Sequence, residues 1–321
     1  MTSIPSPDRF NGSAPNAINP GRKPLRGLRR DMPRALLAAL LCGAASAAPP
    51  PPPVDPASQE HHVGKVIFVE LVTPDLAAAK QFYAGLFGWS FSDSRPGTTG
   101  FAEASLDGRP VAALVQKKMR GDEKKQPAWL TFIAVRDVDA AQKTALLHGA
   151  RLLSAAHDVA DRGREAVLAD PQGAVFAVLA SSRGDPPDVL AAPGEWIWSS
   201  LFAGDADADA AFYQTLFDYE VFDLPADGST EHLILASDDY ARASANAMPA
   251  TAAHGHSHWL NYVRVDDAAQ VTARVVALGG RVLVAPRVDR HGGRVAVVAD
   301  PQGAPFGLLE WSDAQTRQVA P

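Results

Sequence analysis

Residues 166–176 read AVLADPQGAVF, and residues 296–306 read AVVADPQGAPF, nearly the same sequence 130 positions later. A period this long indicates a duplicated domain, because the units of solenoid proteins repeat every ~20–50 residues. Each copy is long enough to enclose a hydrophobic core of its own. The same offset relates further pairs along the chain: Phe82-Tyr83 and Phe212-Tyr213, Leu86-Phe87 and Leu216-Phe217, Trp129-Leu130 and Trp259-Leu260.

The composition is that of an ordinary globular protein. The chain has 321 residues, of which 46% are hydrophobic and 21% charged, and its formal net charge is −6. Beyond the first stretch its arginines are scattered, so the sequence offers no basic field for a polyanion. Nucleic acid is therefore not an expected partner.

Residues 1–48 have the pattern of a secretory signal peptide. A basic stretch over residues 22–34 precedes the apolar run 35–42, and small residues follow at 45–48. The true start is either Met1, with a long basic region, or Met32. The apolar run is too short to span a bilayer as a helix. We therefore expect a periplasmic or secreted protein that is not held in a membrane after cleavage, and that has lost Cys42, its only cysteine.

Each copy shows two units of the order βαβββ. In copy one, a β-branched run at 65–72 precedes a helical pattern that begins after Asp75 and ends at Gly88. Short strands are predicted at 89–91, 100–106 and 111–116. A second unit has strands at 129–135, 151–153, 164–168 and 174–179, with a helix from Asp137 to His148. Before the last strand, Asp170-Pro-Gln-Gly173 forms a tight turn.

These patterns divide the chain into six segments. We predict a signal peptide at 1–48, a Pro-rich spacer at 49–63, a first domain at 64–181, a linker at 182–193, a second domain at 194–312 and a tail at 313–321.

The chain resembles the vicinal oxygen chelate superfamily, the group of glyoxalases, bleomycin-resistance proteins and extradiol dioxygenases. The resemblance covers residues 64–312 and rests on specific motifs: Leu71-Val72-Thr73-Pro74-Asp75, Phe82-Tyr83, Leu86-Phe87-Gly88-Trp89 and the doubled Asp-Pro-Gln-Gly turn. It implies an α+β fold in which four βαβββ modules form two tandem glyoxalase-like domains, each with a β-cup. In this superfamily the cups form either within one copy or across partners, so self-association is left open.

The resemblance also implies three strand positions that hold a divalent ion in metal-using members. Side chains of His, Gln or Glu occupy them there. In this chain all six positions carry side chains without a donor atom: Phe68, Leu130 and Ala177 in copy one, and Trp198, Leu260 and Gly307 in copy two. Because such ions need O, N or S donors at about 2.0–2.6 Å, we predict no metal and no cofactor in either cup.

Strand alternation predicts which side chains line the cups. Positions two apart on a strand share one face, so the set can be read from the metal positions. The expected ligand-binding residues are Phe68, Leu130, Phe132, Trp198, Ser200, Leu260, Tyr262 and Arg264, with Glu70 beside Phe68. This largely apolar lining favours a small, partly apolar ligand.

Glu70 is the candidate for acid or base catalysis, because a carboxylate on an inward strand position has its pKa shifted by desolvation. The alternative is a salt bridge at the cup rim. Arg164 and Arg294 either contact an anionic ligand or pair with acidic neighbours. The His254-x-His256-x-His258 run alternates like a metal cluster, but it lacks supporting carboxylates and is interpreted as structural or adventitious.

The sequence thus predicts an exported glyoxalase-like protein that binds a small, partly apolar molecule without the usual metal triad. Two alternatives remain. The chain is an enzyme of lyase or isomerase type, using either a metal or Glu70, or it is a non-catalytic interaction scaffold in which copy two is degenerate.

Overall fold

A computed structural model describes residues 51–92, 100–118, 127–223, 232–248, 256–288 and 293–311. The predicted signal peptide at 1–48, with its alternative start at Met32, and the tail at 313–321 lie outside these ranges. The described residues form an α+β fold of two eight-stranded sheets and four helices, as the motifs predict. None of the helices in the described ranges is long and apolar enough to cross a membrane.

Copy one contains the two predicted βαβββ units. The first comprises β1 (Val66–Thr73), α1 (Leu76–Phe87), β2 (Ser90–Ser92), β3 (Phe101–Leu106) and β4 (Arg109–Gln116). The second comprises β5 (Ala128–Ala134), α2 (Val138–Leu147), β6 (Arg151–Val159), β7 (Gly163–Ala169) and β8 (Val175–Ser181).

Copy two repeats this order. Its first unit comprises β9 (Trp196–Ala203), α3 (Ala206–Phe217), β10 (Glu220–Asp223), β11 (His232–Ser237) and β12 (Tyr240–Ala247). Its second unit comprises β13 (His258–Val265), α4 (Ala268–Ala277), β14 (Arg281–Val288), β15 (Arg294–Ala299) and β16 (Pro305–Glu310).

Helix α1 begins and ends at the capping residues that the sequence predicts. The Asp75 side chain accepts a hydrogen bond from the backbone N–H of Ala78, which satisfies one of the free donors of the first turn of α1. Gly88 ends α1 with φ +76°, a conformation that costs glycine little. Asp218 adopts φ +57° at the same place after α3, since aspartate tolerates this region better than most residues.

Each sheet is built from one copy alone. The strand order is β2-β3-β4-β1-β5-β8-β7-β6 in copy one, and copy two has the corresponding order β10-β11-β12-β9-β13-β16-β15-β14. The central pair in copy one, β1 and β5, is antiparallel and places Phe68 opposite Phe132 and Glu70 opposite Leu130. In this chain the sheet of each cup therefore forms within one copy.

The helical faces of the two sheets pack against each other. One core cluster joins Phe82 and Leu86 of α1 to Val275 of α4 and Phe306 of β16. A second cluster joins Val138 of α2 to residues of α3 and β12. Each cluster thus mixes one unit of copy one with one unit of copy two, and the two copies share their main core.

The residues that repeat most closely form this shared core. The Tyr83 hydroxyl donates to Asp300 in the turn of copy two, at 3.3 Å, and the Tyr213 hydroxyl donates to Asp170 in the turn of copy one, at 3.0 Å. Trp129 Nε1 donates to the Tyr83 hydroxyl. Phe82 and Tyr83 are buried, as the helical spacing predicts. The doubled Asp-Pro-Gln-Gly turn is therefore part of the interface between the copies.

The segment before the first strand packs against the linker. The backbone N–H of His62 donates to Asp185, and the side chains of Lys65 and Arg242 form ion pairs with Asp188. Residues on both sides of the linker are thus tied to it, which fixes the path of the chain from copy one to copy two.

Candidate functional site

The copy-one cup is the sheet face that looks away from the helices. One hydrophobic cluster covers this face, and its members come from central and outer strands of the sheet. They include Ile67, Phe68, Phe101, Phe132, Leu153 and Ala177, and the partly buried Leu130 packs against them. The Phe68 and Phe132 rings meet edge to face, with centroids 6.3 Å apart. The structure therefore brings together the predicted residues Phe68, Leu130 and Phe132.

A wholly buried arginine lies on this apolar floor. The guanidinium carbon of Arg162 is 4.2 Å from the centroid of the Phe132 ring and 4.8 Å from that of Phe68. Its side chain is 0% exposed. A guanidinium over aromatic faces is favourable, more so when it is desolvated. The cup of copy one therefore has a permanent positive charge at its floor.

Two buried glutamates flank this guanidinium. Arg162 Nη1 donates to Glu70 Oε2 at 3.2 Å, and Arg162 Nε lies 3.5 Å from Glu165 Oε2. Glu165 in turn lies 3.8 Å from Nε2 of the more exposed His157. Burial raises the pKa of Glu70, and the positive charge of Arg162 opposes that shift. Glu70 is thus a cup residue, as predicted, but it is held in a buried ion pair.

Arg162 reaches the floor from a turn rather than from a strand. It belongs to the exposed hairpin turn between β6 and β7, where Asp161 has φ +62°. The next residue, Gly163, has φ +126°, and a Cβ there would lie 2.0 Å from the carbonyl oxygen of Ala180. Only glycine fits this position, so the turn is fixed tightly on its β8 side while Arg162 points into the cup.

In the copy-two cup a serine hydroxyl stands at the position that Glu70 has in copy one. Ser200 and Ser244 share a hydrogen bond of 2.9 Å between their Oγ atoms. The Ser244 hydroxyl also accepts from Trp198 Nε1 at 3.2 Å and from Asn246 Nδ2 at 3.2 Å. Trp198, Leu260 and Tyr262, all predicted liners, lie in one cluster on this face.

Tyr262 fills the space above a glycine. A Cβ at Gly307 would lie 2.0 Å from Cδ1 of the Tyr262 ring, so the ring rests directly against the backbone of β16. Burial raises the pKa of Tyr262 to about 12. Its hydroxyl is therefore a neutral hydrogen-bonding group at ordinary pH, not a base.

Other candidate residues lie apart from the cup floors. Arg264 Nη1 donates to the carbonyl of Ala191 in the linker. Arg164 pairs with Asp139 and Asp158 on the surface, which is the second of the two interpretations given above. His258 stacks on Phe202 at 5.6 Å. His254 lies outside the described residues.

The residues at the expected metal positions do not fit a divalent ion. Phe68, Leu130 and Ala177 supply only hydrocarbon, and the Arg162 guanidinium stands over the Phe68 ring, where a second cation would be repelled. Across the described ranges, no group of three or more His, Cys, Asp or Glu side chains is placed to hold a metal ion.

Sequence reasoning missed Arg162 and Glu165. Arg162 comes from a turn, where strand alternation does not apply. Glu165 lies on β7, which carries none of the three metal positions from which the cup face was read. A comparison of the two copies contains a usable signal: at the 130-residue offset, Glu70, Arg162 and Glu165 correspond to Ser200, Gly292 and Val295. All three charged residues of one cup are replaced in the other.

The fold and these two cups define a class of protein. The profile of the Glyoxalase-like domain family matches residues 67–179 and again residues 200–309, and the chain belongs to this family.

Among its relatives is CFP32 of Mycobacterium bovis, a protein named as a provisional glyoxylase. It is 32% identical over 257 residues, which cover 79% of this chain and 98% of CFP32. The anthracycline biosynthesis protein DauV of a Streptomyces species is also 32% identical, over 263 residues that cover 78% of this chain and 94% of DauV.

Solved structures share the fold at low sequence identity. The Mn(II)-bound glyoxalase from Novosphingobium aromaticivorans superimposes with a TM-score of 0.56 at 17% identity and covers 78% of this chain and 82% of its own. Homoprotocatechuate 2,3-dioxygenase from B. fuscum gives a TM-score of 0.54 at 13% identity, over 84% and 74% of the respective chains. These structures support the tandem arrangement of the two domains.

Proposed function

We propose that this protein binds a small, partly apolar organic molecule in one or both of its β-cups and does so without a divalent metal. The observation that carries the proposal is the Arg162 guanidinium, buried on the Phe68 and Phe132 rings where the family's metal site would lie. An apolar floor with a few fixed polar groups is the common form of a small-molecule site.

The choice of ligand class draws on the name of one relative. DauV is named for the biosynthesis of anthracyclines, and it matches most of this chain. Aromatic rings carrying oxygens are a reasonable ligand class for a cup with an aromatic floor and few polar groups. Nucleic acid and membrane lipid are not proposed as partners.

Two measurements on the purified full-length protein test this function. Elemental analysis is expected to find zinc, nickel, manganese and iron each well below one atom per chain. A thermal-shift screen of small aromatic ketones, phenols and acids is expected to find compounds that raise the melting temperature, because a ligand that binds only the native state stabilises it. Stoichiometric metal would revive the metalloenzyme alternative, and a screen with no stabilising compound would favour the scaffold.

A second candidate function is catalysis by Glu70. Its buried carboxylate has a raised pKa and a neighbouring guanidinium, an arrangement that suits removal of a proton next to a carbonyl group. Exchange of that proton with deuterated water, followed by NMR on a bound ketone, measures this activity directly. Glu70→Gln should abolish the exchange and leave ketone binding in place, whereas equal exchange in the variant would exclude Glu70 as the base.

We also propose that the protein is exported, on the strength of the pattern in residues 1–48. Expression of the full-length chain in a bacterium and mass spectrometry of the periplasmic fraction test this. A species that begins close to residue 49 is expected, and retention of the intact chain in the cytoplasm would contradict export.

A further inference from the structure

We propose that Arg162 is the ligand-binding group of the copy-one cup and that it takes the uncharged carbonyl oxygen of an otherwise apolar ring compound. This inference rests on the small-molecule function proposed above and names the ligand class of one of the two cups.

The Arg162 guanidinium contains an unsatisfied donor. Arg162 is 0% exposed, yet its Nη2 has no hydrogen-bond partner among the described residues. Buried polar groups are nearly always hydrogen-bonded, and an exception calls for an explanation such as an absent ligand. Nη1 donates to Glu70, and Nε makes no hydrogen bond but lies 3.5 Å from Glu165 in an ion pair. Among the described residues Nη2 has neither kind of partner, so it is the part of the guanidinium left for another molecule.

The surroundings of Nη2 favour an apolar ring. The guanidinium lies against Phe68 and Phe132, and the rest of the hydrophobic cluster consists of Phe101, aliphatic side chains and alanines. A ligand whose oxygen reached Nη2 would therefore place its neighbouring atoms on hydrocarbon. Such burial of apolar area supplies most of the affinity in sites of this type, and one well-placed polar contact supplies orientation.

The charges of the cluster favour a neutral oxygen over an anion. The cluster contains two cations, Arg162 and Lys117, and two carboxylates, Glu70 and Glu165. Lys117 belongs to it because its charge lowers the pKa of Glu70. A carboxylate ligand would add an uncompensated negative charge to a buried and balanced group, which is costly. A ketone oxygen accepts the hydrogen bond and adds no charge.

Comparison within the chain indicates that the three charged residues act as one unit. At the 130-residue offset the sequence has Ser200, Gly292 and Val295 for Glu70, Arg162 and Glu165. Ser200 bonds to Ser244 in that cup, so its polar group is satisfied without a guanidinium. Copy two therefore provides replacement residues that belong to the same fold, and its cup is not expected to prefer a ketone.

Access to Nη2 requires the turn between β6 and β7 to move. Ala160 and Asp161 in this turn are exposed, and β6 lies at the edge of its sheet with β7 as its only neighbouring strand. Arg162 itself is anchored, because its carbonyl accepts a hydrogen bond from the backbone N–H of Ser182 and its guanidinium donates to Glu70. Ligand uptake therefore requires movement of the exposed residues Ala160 and Asp161 at the tip of the turn.

The test uses three compounds with one ring skeleton: 1-tetralone, tetralin and tetralin-1-carboxylate. Dissociation constants are measured by calorimetry on the full-length protein. Tetralone is expected to bind about ten-fold more tightly than tetralin, a factor that corresponds to about 1.4 kcal/mol, and also more tightly than the carboxylate. Arg162→Met should remove the preference for the ketone, and the matched control Arg164→Met, two residues away on the surface, should retain it.

Arg162→Met removes the partner of two buried carboxylates and so can misfold. A second variant keeps the test informative in that case. The triple variant Glu70→Ser, Arg162→Gly and Glu165→Val gives copy one the residues of copy two and leaves no carboxylate without its guanidinium; it should also lose the ketone preference. Three outcomes would overturn this inference and leave the small-molecule function standing. The native protein binds all three compounds equally, it binds the carboxylate most tightly, or the triple variant keeps the ketone preference. Failure of all three compounds to bind would count against that function itself.

Discussion

The two cups of this chain differ in their polar groups, whereas the interface between the copies is nearly identical on its two sides. Tyr83 bonds to Asp300 and Tyr213 bonds to Asp170, with the same residue types at the same offset. The floors instead carry an ion cluster in copy one and a hydroxyl cluster in copy two. The comparison teaches that close repetition in this sequence marks mutual packing, and that chemistry is to be sought where the copies disagree.

Replacement of either turn aspartate should cause the largest loss of stability. The two variants together test whether the two halves of the interface contribute equally. Asp170→Ala and Asp300→Ala each remove a buried acceptor of a tyrosine hydroxyl from the other copy. The same carboxylates accept from backbone N–H groups of their own turns, two at Asp170 and three at Asp300. Because each buried donor left unpaired costs about 1–3 kcal/mol, both variants should lose about 3 kcal/mol or more of unfolding free energy. Urea denaturation measures the loss.

The losses of unfolding free energy in these two variants should agree within about 1 kcal/mol, because the two turns are equivalent in the duplication. Asp75→Ala, which removes an exposed helix cap, serves as a control and should cost about 1 kcal/mol. A clear inequality between Asp170→Ala and Asp300→Ala would show that one copy carries most of the interface.

A smaller effect is expected where the cups differ in packing. Gly307→Ala places a methyl group 2.0 Å from the Tyr262 ring, so the ring must move and stability should fall by about 1–3 kcal/mol. The matched change in copy one, Ala177→Gly, creates no clash and should cost about 1 kcal/mol or less. Thermal melting of both variants gives the comparison. Equal stability of Gly307→Ala and the native protein would mean that Tyr262 does not rest on β16.

The smallest effect concerns an asymmetry in the interface itself. Asp209 in α3 is 1% exposed and stands where copy one has Ala79. Burial, with the charge of Asp170 as a further cause, raises the pKa of Asp209 to about 7. Between its unfolded pKa of about 4 and this folded value, only the folded state holds the proton. Its contribution to stability is therefore full at low pH and is lost as pH rises through about 7.

Asp209→Asn should consequently leave stability nearly unchanged at pH 5 and raise it by about 1 kcal/mol at pH 8. Urea midpoints at the two pH values measure this difference. Asp207→Asn on the exposed side of the same helix is the control and should show no such dependence on pH. An Asp209→Asn variant that follows the native profile throughout would contradict the assignment.

Most of the fold could be predicted from the sequence because its signals are local. Asp75 and Gly88 mark the ends of α1 directly, and alternation along β1 placed Phe68 and Glu70 on the cup face. Strand β6 was predicted only to residue 153 but extends to Val159, since its later residues are held by pairing with β7 and not by their own propensity. Tertiary contacts commonly override propensity in this way.

The site could be predicted only in part, for a related reason. Strand periodicity identifies the residues of the floor, but it says nothing about a side chain that enters from a turn. The position of the Arg162 side chain depends on the backbone conformation at Asp161 and Gly163. It also depends on two glutamates, Glu70 and Glu165, that are far from each other in sequence. Only the three-dimensional arrangement joins them.

The reciprocal bonds between Tyr83 and Asp300 and between Tyr213 and Asp170 have the form of contacts between identical subunits related by a twofold axis. In a homodimer every mutation occurs in both subunits, so its two pockets must always change together. Fusion of two such subunits into one polypeptide removes that constraint. The covalent link allows one pocket to carry a guanidinium while its twin carries serines, with equivalent bonds on the two sides of the interface.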